Sequence, residues 1–130
     1  MNEVYEFLKK CHAYYLATVD GDQARVRPFG TIDIFDGYLT IQTGKVKDVS
    51  KQIHANSKVE ICAFDGEQWL RIAAEAVEDP RIEASEHMLA AYPELQAMYK
   101  PGDGNTEIFK LTNAEATFSS FTSAPRIIKL

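Results

Sequence analysis

Three Asp-Gly pairs constrain the fold of this 130-residue chain more than any other feature of its sequence. Asp20-Gly21, Asp36-Gly37 and Asp65-Gly66 each stand between segments of strand-like composition. Asp-Gly is a preferred sequence for a two-residue hairpin turn, because both central residues of that turn need a positive φ. So short a turn cannot form the crossover that parallel strands require. The pattern therefore predicts a mainly antiparallel sheet.

Hydrophobic periodicity predicts about seven short strands and a few helices. The strands are predicted at residues 14–19, 23–35, 38–43, 59–63, 68–77, 107–111 and 114–121, with 127–128 closing a final one. The helices are predicted at residues 4–11, 47–55 and 82–92, with a short helical stretch at 94–98 and a loop at 100–105. Val46, Val49 and Ile53 are expected to face inward from the second helix. We expect the first three strands to form an antiparallel meander. The predicted class is mainly β (α+β), a small antiparallel barrel with short peripheral helices.

Composition and charge limit the possible functions. With 45% hydrophobic and 25% charged residues, the chain is an ordinary globular protein by composition, and residues 1–130 are expected to form a single domain. The net charge of −5 argues against nucleic acid and anionic membranes as partners, and an oligonucleotide-binding barrel would need a basic aromatic groove.

Cys11 and Cys62 lack metal-binding spacing, and the sequence has neither signal-peptide features nor an apolar run of membrane-spanning length. These features predict a cytoplasmic protein.

Two arginines lie on the same face of the predicted second strand. Because side chains alternate along a strand, Arg25 and Arg27 point one way, whereas Val26, Ile32 and Ile34 are expected to point into the core. Like charges this close repel each other unless an anion meets them, so a phosphate or a partner carboxylate is a natural ligand. A solvated face with ordinary ion pairs explains the same spacing.

A glycine turn with two lysines follows the third predicted strand. Gly44 lets a ligand approach the backbone closely, and Lys45 and Lys47 lie at the start of the next helix, where the first N–H groups favour anions. Thr43 can offer its hydroxyl to the same anion, and Gln42 can hydrogen-bond the edge of a heterocycle. Solvated surface lysines are the alternative, but the combination favours an anion site.

Other chemical motifs are weak or missing in the sequence. Trp69 shares a strand face with Arg71, which favours an interface over a purely apolar core position. The three histidines have no metal-ligand spacing, so no metal site is expected. The serines lack the GxSxG context of a hydrolase, and neither a P-loop nor GxGxxG occurs.

Taken in order, five segments resemble the pyridoxamine 5′-phosphate oxidase-like family of flavin-binding split β-barrels. These segments are YLATVDG at 15–21, RVRPFG at 25–30, TGKVK at 43–47, QIHANS at 52–57 and WLRI at 69–72. The resemblance implies an antiparallel split β-barrel. It also implies a homodimer that holds FMN in clefts between its subunits.

The resemblance also assigns positions to the cofactor. The basic residues would meet its phosphate or ribityl oxygens, and the others would line the flavin or meet its edge. The assigned residues are Arg25, Val26, Arg27, Pro28, Phe29, Gln42, Thr43, Lys45, Lys47 and Trp69. Trp69 departs from the family oxidase, which has a polar side chain there, so it would stack or pack.

The implied function is that of an FMN-dependent oxidoreductase acting on a small molecule, with a small-molecule electron donor and acceptor. No side chain is assigned as a catalytic acid or base. The oxidase itself carries an Arg- and His-containing signature near its C-terminus, whereas residues 123–130 contain Arg126 and no histidine. We therefore do not expect this chain to be an authentic pyridoxamine phosphate oxidase. The alternative is a non-catalytic module that binds or senses flavin or heme.

Overall fold

The computed structural model describes residues 1–130. Its strands are β1 (Tyr14–Asp20), β2 (Gln23–Phe29), β3 (Asp33–Phe35), β4 (Tyr38–Gly44), β5 (Lys58–Phe64), β6 (Gln68–Glu78), β7 (Thr106–Ser120) and β8 (Arg126–Lys129). Its helices are α1 (Asn2–Cys11), α2 (Asp48–Ala55) and α3 (Ile82–Ala91), and a 3-10 helix follows at Pro93–Ala97. None of these helices is long and apolar enough to cross a membrane.

All eight strands belong to one antiparallel sheet. Its order is β2-β1-β5-β6-β7-β4-β3, and β8 pairs with β7 beside this path. The sheet is not closed, because β2 and β3 lie at its opposite edges and do not pair with each other. The predicted class, a mainly β split barrel with short peripheral helices, is confirmed.

The core is formed by one face of the sheet together with α1 and α2. Alternation along β5 buries Val59, Ile61 and Ala63, and leaves Glu60 exposed. Leu70, Ile72, Ala74 and Ala76 are buried in the same way along β6. α1 contributes Val4, Phe7 and Leu8, whose spacing at i, i+3 and i+4 puts them on one helix face. Full burial of one such large side chain stabilises the fold by about 1.5–3 kcal/mol.

The prediction of one long second strand at residues 23–35 is wrong. β2 ends at Phe29, β3 begins at Asp33, and the residues between them connect the two edges of the sheet. β2 pairs with β1 while β3 pairs with β4, so the predicted meander is two separate hairpins. The connection is held by the Tyr14 hydroxyl, which donates a 2.6 Å hydrogen bond to the Thr31 carbonyl. Alternation alone cannot show this break, because both halves keep a strand-like pattern.

Two valines predicted to face the core are exposed. Val26 is 67% exposed because β2 is an edge strand whose outer face nothing in the chain covers. Val46 is 74% exposed because it precedes α2, so it does not share the inward face of that helix. Ile32 is buried and Ile34 is half-buried, as the pattern predicts.

The predicted strands at 107–111 and 114–121 are one continuous strand, β7. Asn113 adopts a φ of 48°, and the pairing register with β6 shifts between Ala73 and Glu75. This irregularity lets the strand continue past residues 112–113, where the sequence pattern changes phase.

Candidate functional site

A cleft separates the edge strand β2 from helix α2. Its larger part, which we call the basic cavity, has a volume of about 990 Å³. Its polar lining includes Arg25, Arg27, Lys47, Lys51 and Gln52. Four cationic side chains and the carboxylates of Asp20 and Asp48 line this cavity, so positive charge is in excess there although the protein's net charge is −5. Such a concentration of positive charge favours an anionic ligand.

The cleft continues into a second space, which we call the apolar cavity, with a volume of about 510 Å³. Its apolar lining includes Pro28, Phe29, Leu95 and Met98, and its polar lining includes Thr31, Gln42, Thr43 and Glu94. Arg27, Lys47 and Val49 line both cavities, so the two are parts of one cleft. A cationic compartment next to one that carries both apolar and polar side chains suits a ligand with an anionic end and a planar end that has polar edges.

The helical period of α2 explains which of its side chains line the basic cavity. Asp48, Lys51, Gln52 and Ala55 are spaced at i, i+3, i+4 and i+7, and all four line it. Val49 and Ile53 lie on the buried side of the helix. Lys51 and Gln52 were not among the predicted site residues, although the same periodicity counted from Asp48 gives both of them.

Arg27 is the most firmly held cation of the basic cavity. Its Nη1 donates to the Leu16 carbonyl at 3.1 Å and to Thr18 Oγ1 at 2.8 Å, and its Nη2 donates to Gln52 Oε1 at 2.7 Å. Burial lowers the pKa of the Arg27 guanidinium, and the nearby charge of Arg25 lowers it further. An arginine still carries its charge at neutral pH. Arg27 therefore presents a fixed positive charge to both cavities.

Arg25 and Lys47 make fewer contacts within the chain than Arg27 does. Arg25 forms a 3.0 Å ion pair with Asp20 and is exposed. Lys47 immediately precedes α2, in an extended conformation with φ −80° and ψ 150°, and forms no salt bridge within the chain. The first N–H groups of a helix lack intrahelical acceptors, so an anion beside Lys47 has backbone donors available.

The glycine turn has a different role from the one predicted. A Cβ on Gly44 would lie 3.1 Å from Asn105 Nδ2 and 3.2 Å from the Tyr99 hydroxyl, so the glycine makes room for the chain's own side chains. Asn105 also accepts hydrogen bonds from the backbone N–H groups of Lys45 and Val46. The turn is therefore fixed by the loop before β7, and the space predicted for a ligand is filled.

Lys45 does not line either cavity. Its ammonium lies 3.7 Å from Glu78 Oε2, in a cluster in which His54 Nε2 lies 2.7 Å from Glu107 Oε2. Ser50 donates to the other oxygen of Glu107, a carboxylate that is only 2% exposed. Although ligand atoms of His54, Glu78 and Glu107 lie within 4.8 Å of one another, these groups satisfy each other. The cluster anchors α2 to β7.

Trp69 lies outside both cavities. Its ring contacts Phe64 and Phe121, with centroid separations of 6.5 Å and 5.1 Å. Phe121 is 81% exposed and Phe64 is also exposed, so this aromatic cluster forms an apolar patch on the surface. Trp69 itself is half-buried, and its position at an interface stays a prediction.

The far wall of the apolar cavity comes from a segment that the sequence analysis did not assign to the site. Tyr92, Leu95, Met98 and Tyr99 line this wall. Tyr92 is held by its hydroxyl, which accepts from the Ile32 N–H at 3.0 Å and donates to the Ile32 carbonyl at 3.1 Å. Only the tertiary structure brings this segment to β2, because more than sixty residues separate them in sequence.

Comparison with known proteins places the chain in a family. The family model for pyridoxamine 5′-phosphate oxidase matches residues 1–120. A crystal structure of a NimC/NimA family protein from Clostridium acetobutylicum is 40% identical, with a TM-score of 0.95, and the match covers 100% of this chain and 92% of that one. No curated protein sequence matches the chain.

More distant structures share the fold. A putative pyridoxamine 5′-phosphate oxidase from Listeria innocua is 17% identical, with a TM-score of 0.66, over 98% of this chain and 96% of that one. A heme-binding protein from Mycobacterium smegmatis is 10% identical, with a TM-score of 0.72, over 94% of this chain and 57% of that one. The open antiparallel sheet and the family match over nearly the whole length agree, and the chain belongs to the pyridoxamine 5′-phosphate oxidase family, whose members include flavin-binding enzymes and heme-binding proteins.

Proposed function

We propose that this protein binds FMN in the cleft between β2 and α2 and acts as a flavin-dependent oxidoreductase on a small molecule. The observation that carries the proposal is the convergence of Arg25, Arg27 and Lys47 on the basic cavity, directly beside the apolar cavity. FMN has the matching chemistry, with a phosphate dianion at one end and a planar ring system at the other. The basic residues would hold the phosphate.

The residues of the cleft fit this cofactor. Arg27 is fixed by three hydrogen bonds, Lys47 has no competing salt bridge, and α2 offers backbone N–H groups beside them. Pro28 and Phe29 would pack on the ring system, and Gln42, which is buried, would meet its polar edge. Bound FMN supplies the electron-transfer chemistry, while the chain binds and orients the ring and limits its access to water.

We further propose that the working unit is a cytoplasmic homodimer that takes electrons from a small-molecule donor and passes them to a small-molecule acceptor. The exposed aromatic cluster of Phe64, Trp69 and Phe121 supports an interface, because an apolar patch of this kind is costly to leave in water. Val26, which lines the basic cavity and is exposed, adds to the uncovered apolar surface. Trp69 would then approach the cofactor only from the partner subunit.

Pyridoxamine phosphate oxidation is not part of the proposal. Arg126, the only arginine of the C-terminal tail, is paired with Glu3 through two hydrogen bonds of 2.9 Å and 2.6 Å. The tail therefore has no free guanidinium for the phosphate of a substrate. A second candidate, a module that binds flavin or heme without turnover, predicts a bound cofactor and no acceptor-dependent reoxidation.

The test is to mix the purified protein with FMN and record absorbance and fluorescence during the titration. We expect saturable binding with quenching of flavin fluorescence, then loss of the visible flavin band on addition of NADH or NADPH, and its recovery with a quinone or a nitroaromatic compound. Binding without reduction would favour the sensing module. A Soret band on addition of hemin, with no response to FMN, would overturn the proposal.

A further inference from the structure

The segment at 92–99 forms one wall of the apolar cavity and is held by hydrogen bonds near both of its ends. The Tyr92 hydroxyl bridges the N–H and carbonyl of Ile32, and the Tyr99 N–H donates to the Leu95 carbonyl at 2.8 Å. Met98 is nevertheless 71% exposed, although it lines the cavity. A wall that is fixed in place and carries exposed apolar side chains is suited to an apolar ring, and the thioether of methionine packs well on aromatic faces.

The charges around the apolar cavity are unevenly distributed. Arg27 and Lys47 stand at its border with the basic cavity, where the phosphate of FMN would neutralise them. On the segment itself the charged residue is Glu94, which is exposed and makes no hydrogen bond or salt bridge. The Lys9 ammonium lies 4.6 Å from the centroid of the Tyr92 ring, but Lys9 does not line this cavity. The charged group that the segment itself contributes to the cavity lining is therefore the carboxylate of Glu94.

We propose that the segment at 92–99 forms the binding site for the second reactant, and that it selects uncharged or cationic planar rings over phosphorylated ones. This proposal rests on the function proposed above, since it places the reactant between the segment and the bound flavin. Leu95, Met98 and Tyr99 supply the apolar contact surface. Glu94 disfavours a phosphate dianion by charge repulsion and favours a cation.

The experiment compares two probes that share one ring, pyridoxine and pyridoxine 5′-phosphate. Binding of each to FMN-loaded protein is measured by equilibrium dialysis and by the change in flavin absorbance. We expect the wild type to prefer pyridoxine. Glu94→Lys should shift the preference toward the phosphate by roughly tenfold, which corresponds to reversal of one short-range charge interaction. Met98→Ala should weaken the binding of both probes by roughly three- to tenfold without changing the ratio of their affinities.

Glu83→Lys is the matched control, because Glu83 is an exposed acid on α3 that lines neither cavity. It should leave the ratio of the two affinities unchanged. The proposal is overturned if the wild type prefers the phosphate, or if Glu94→Lys moves the ratio no further than Glu83→Lys does.

An FMN titration of each variant separates this proposal from the one on which it rests. We expect Glu94→Lys and Met98→Ala to bind FMN within about twofold of the wild type, which supports a wall that contacts the reactant and not the cofactor. A loss of FMN affinity above roughly tenfold in Met98→Ala would overturn the proposal and leave FMN binding intact as a function. Absence of FMN binding by the wild type would overturn both.

Discussion

Arg27 donates a 2.7 Å hydrogen bond to the side-chain oxygen of Gln52, and the same oxygen accepts a 2.6 Å hydrogen bond from the Thr18 hydroxyl. One glutamine thus joins α2 to both strands of the first hairpin. This link keeps the two walls of the cleft at a fixed separation, and it places a charged group in the cleft before any ligand arrives. Preorganisation of this kind reduces the cost of ordering side chains on binding.

Gln52→Leu should lower the free energy of unfolding of the whole protein as well as change the cleft. Two donors, on Arg27 and Thr18, lose their shared acceptor, and a hydrogen bond to a charged group contributes about 1.5–3 kcal/mol. We expect the free energy of unfolding, measured with urea, to fall by about that amount. Gln23→Leu, at an exposed position, is the control and should change it by less than about 0.5 kcal/mol. Equal losses of unfolding free energy in Gln52→Leu and Gln23→Leu would show that the hydrogen bonds of Gln52 do not stabilise the fold.

Lys47→Ala and Arg25→Ala should each weaken FMN binding more than riboflavin binding. Both side chains line the basic cavity, and the two ligands differ only in the phosphate. Loss of one charge-assisted contact is worth about 1.5–3 kcal/mol, or roughly ten- to a hundredfold in affinity. Fluorescence titration of both ligands measures the effect, with Lys129→Ala as the control. Equal losses for the two ligands would mean that the cavity does not hold the phosphate.

Glu107→Gln should loosen the attachment of α2. The buried carboxylate accepts from Ser50 on one oxygen and contacts His54 on the other, so an amide places a donor against one of these partners. A buried group left without its partner costs about 1–3 kcal/mol, and we expect a corresponding loss in thermal and urea stability. Glu115→Gln, at an exposed position, should be close to neutral. Unchanged stability of Glu107→Gln would contradict the anchoring role of the cluster.

The turn after β5 should contribute to the pH dependence of stability. The backbone N–H groups of Gln68 and Glu67 lower the pKa of Asp65 from 3.8 to about 2. Because the folded pKa is depressed, the contribution is present in full above the unfolded value and is lost as the pH falls through the folded one. The urea midpoints of wild type and Asp65→Asn should therefore differ most above about pH 5 and converge toward pH 2. A difference that is constant over this range would contradict the role of the charge.

Light scattering should give the mass of two copies of the 14.6 kDa chain at micromolar concentration. The exposed side chains of Phe64 and Phe121 would be buried in that assembly. The double variant Phe64→Ser/Phe121→Ser should therefore form a weaker dimer, which dissociates at protein concentrations where the wild type is still dimeric. A monomeric mass for the wild type would exclude a cleft shared between subunits.

Local chemistry was enough to predict the elements and the class of the fold. The Asp-Gly turns, the alternation along β5 and β6 and the i, i+3, i+4 spacing in α1 depend on neighbouring residues, and each is found where the sequence predicts it. Of the ten residues assigned to the cofactor, eight line the cleft, because β2, β4 and the start of α2 meet there. Lys45 and Trp69 lie elsewhere, since their directions depend on Glu78 and on Phe64 and Phe121.

What the sequence by itself determined is therefore the position of most strands, the antiparallel character of the sheet and the basic character of one edge. Only the tertiary structure decided where the second strand breaks, how β2 and β3 come to lie at opposite edges, and that Gln52 and the segment at 92–99 complete the cleft. The physical reason is the range of the interactions. Turn and periodicity signals arise between residues a few positions apart, whereas sheet order and cavity walls depend on contacts such as Tyr92 to Ile32, which the chain makes only after it has folded.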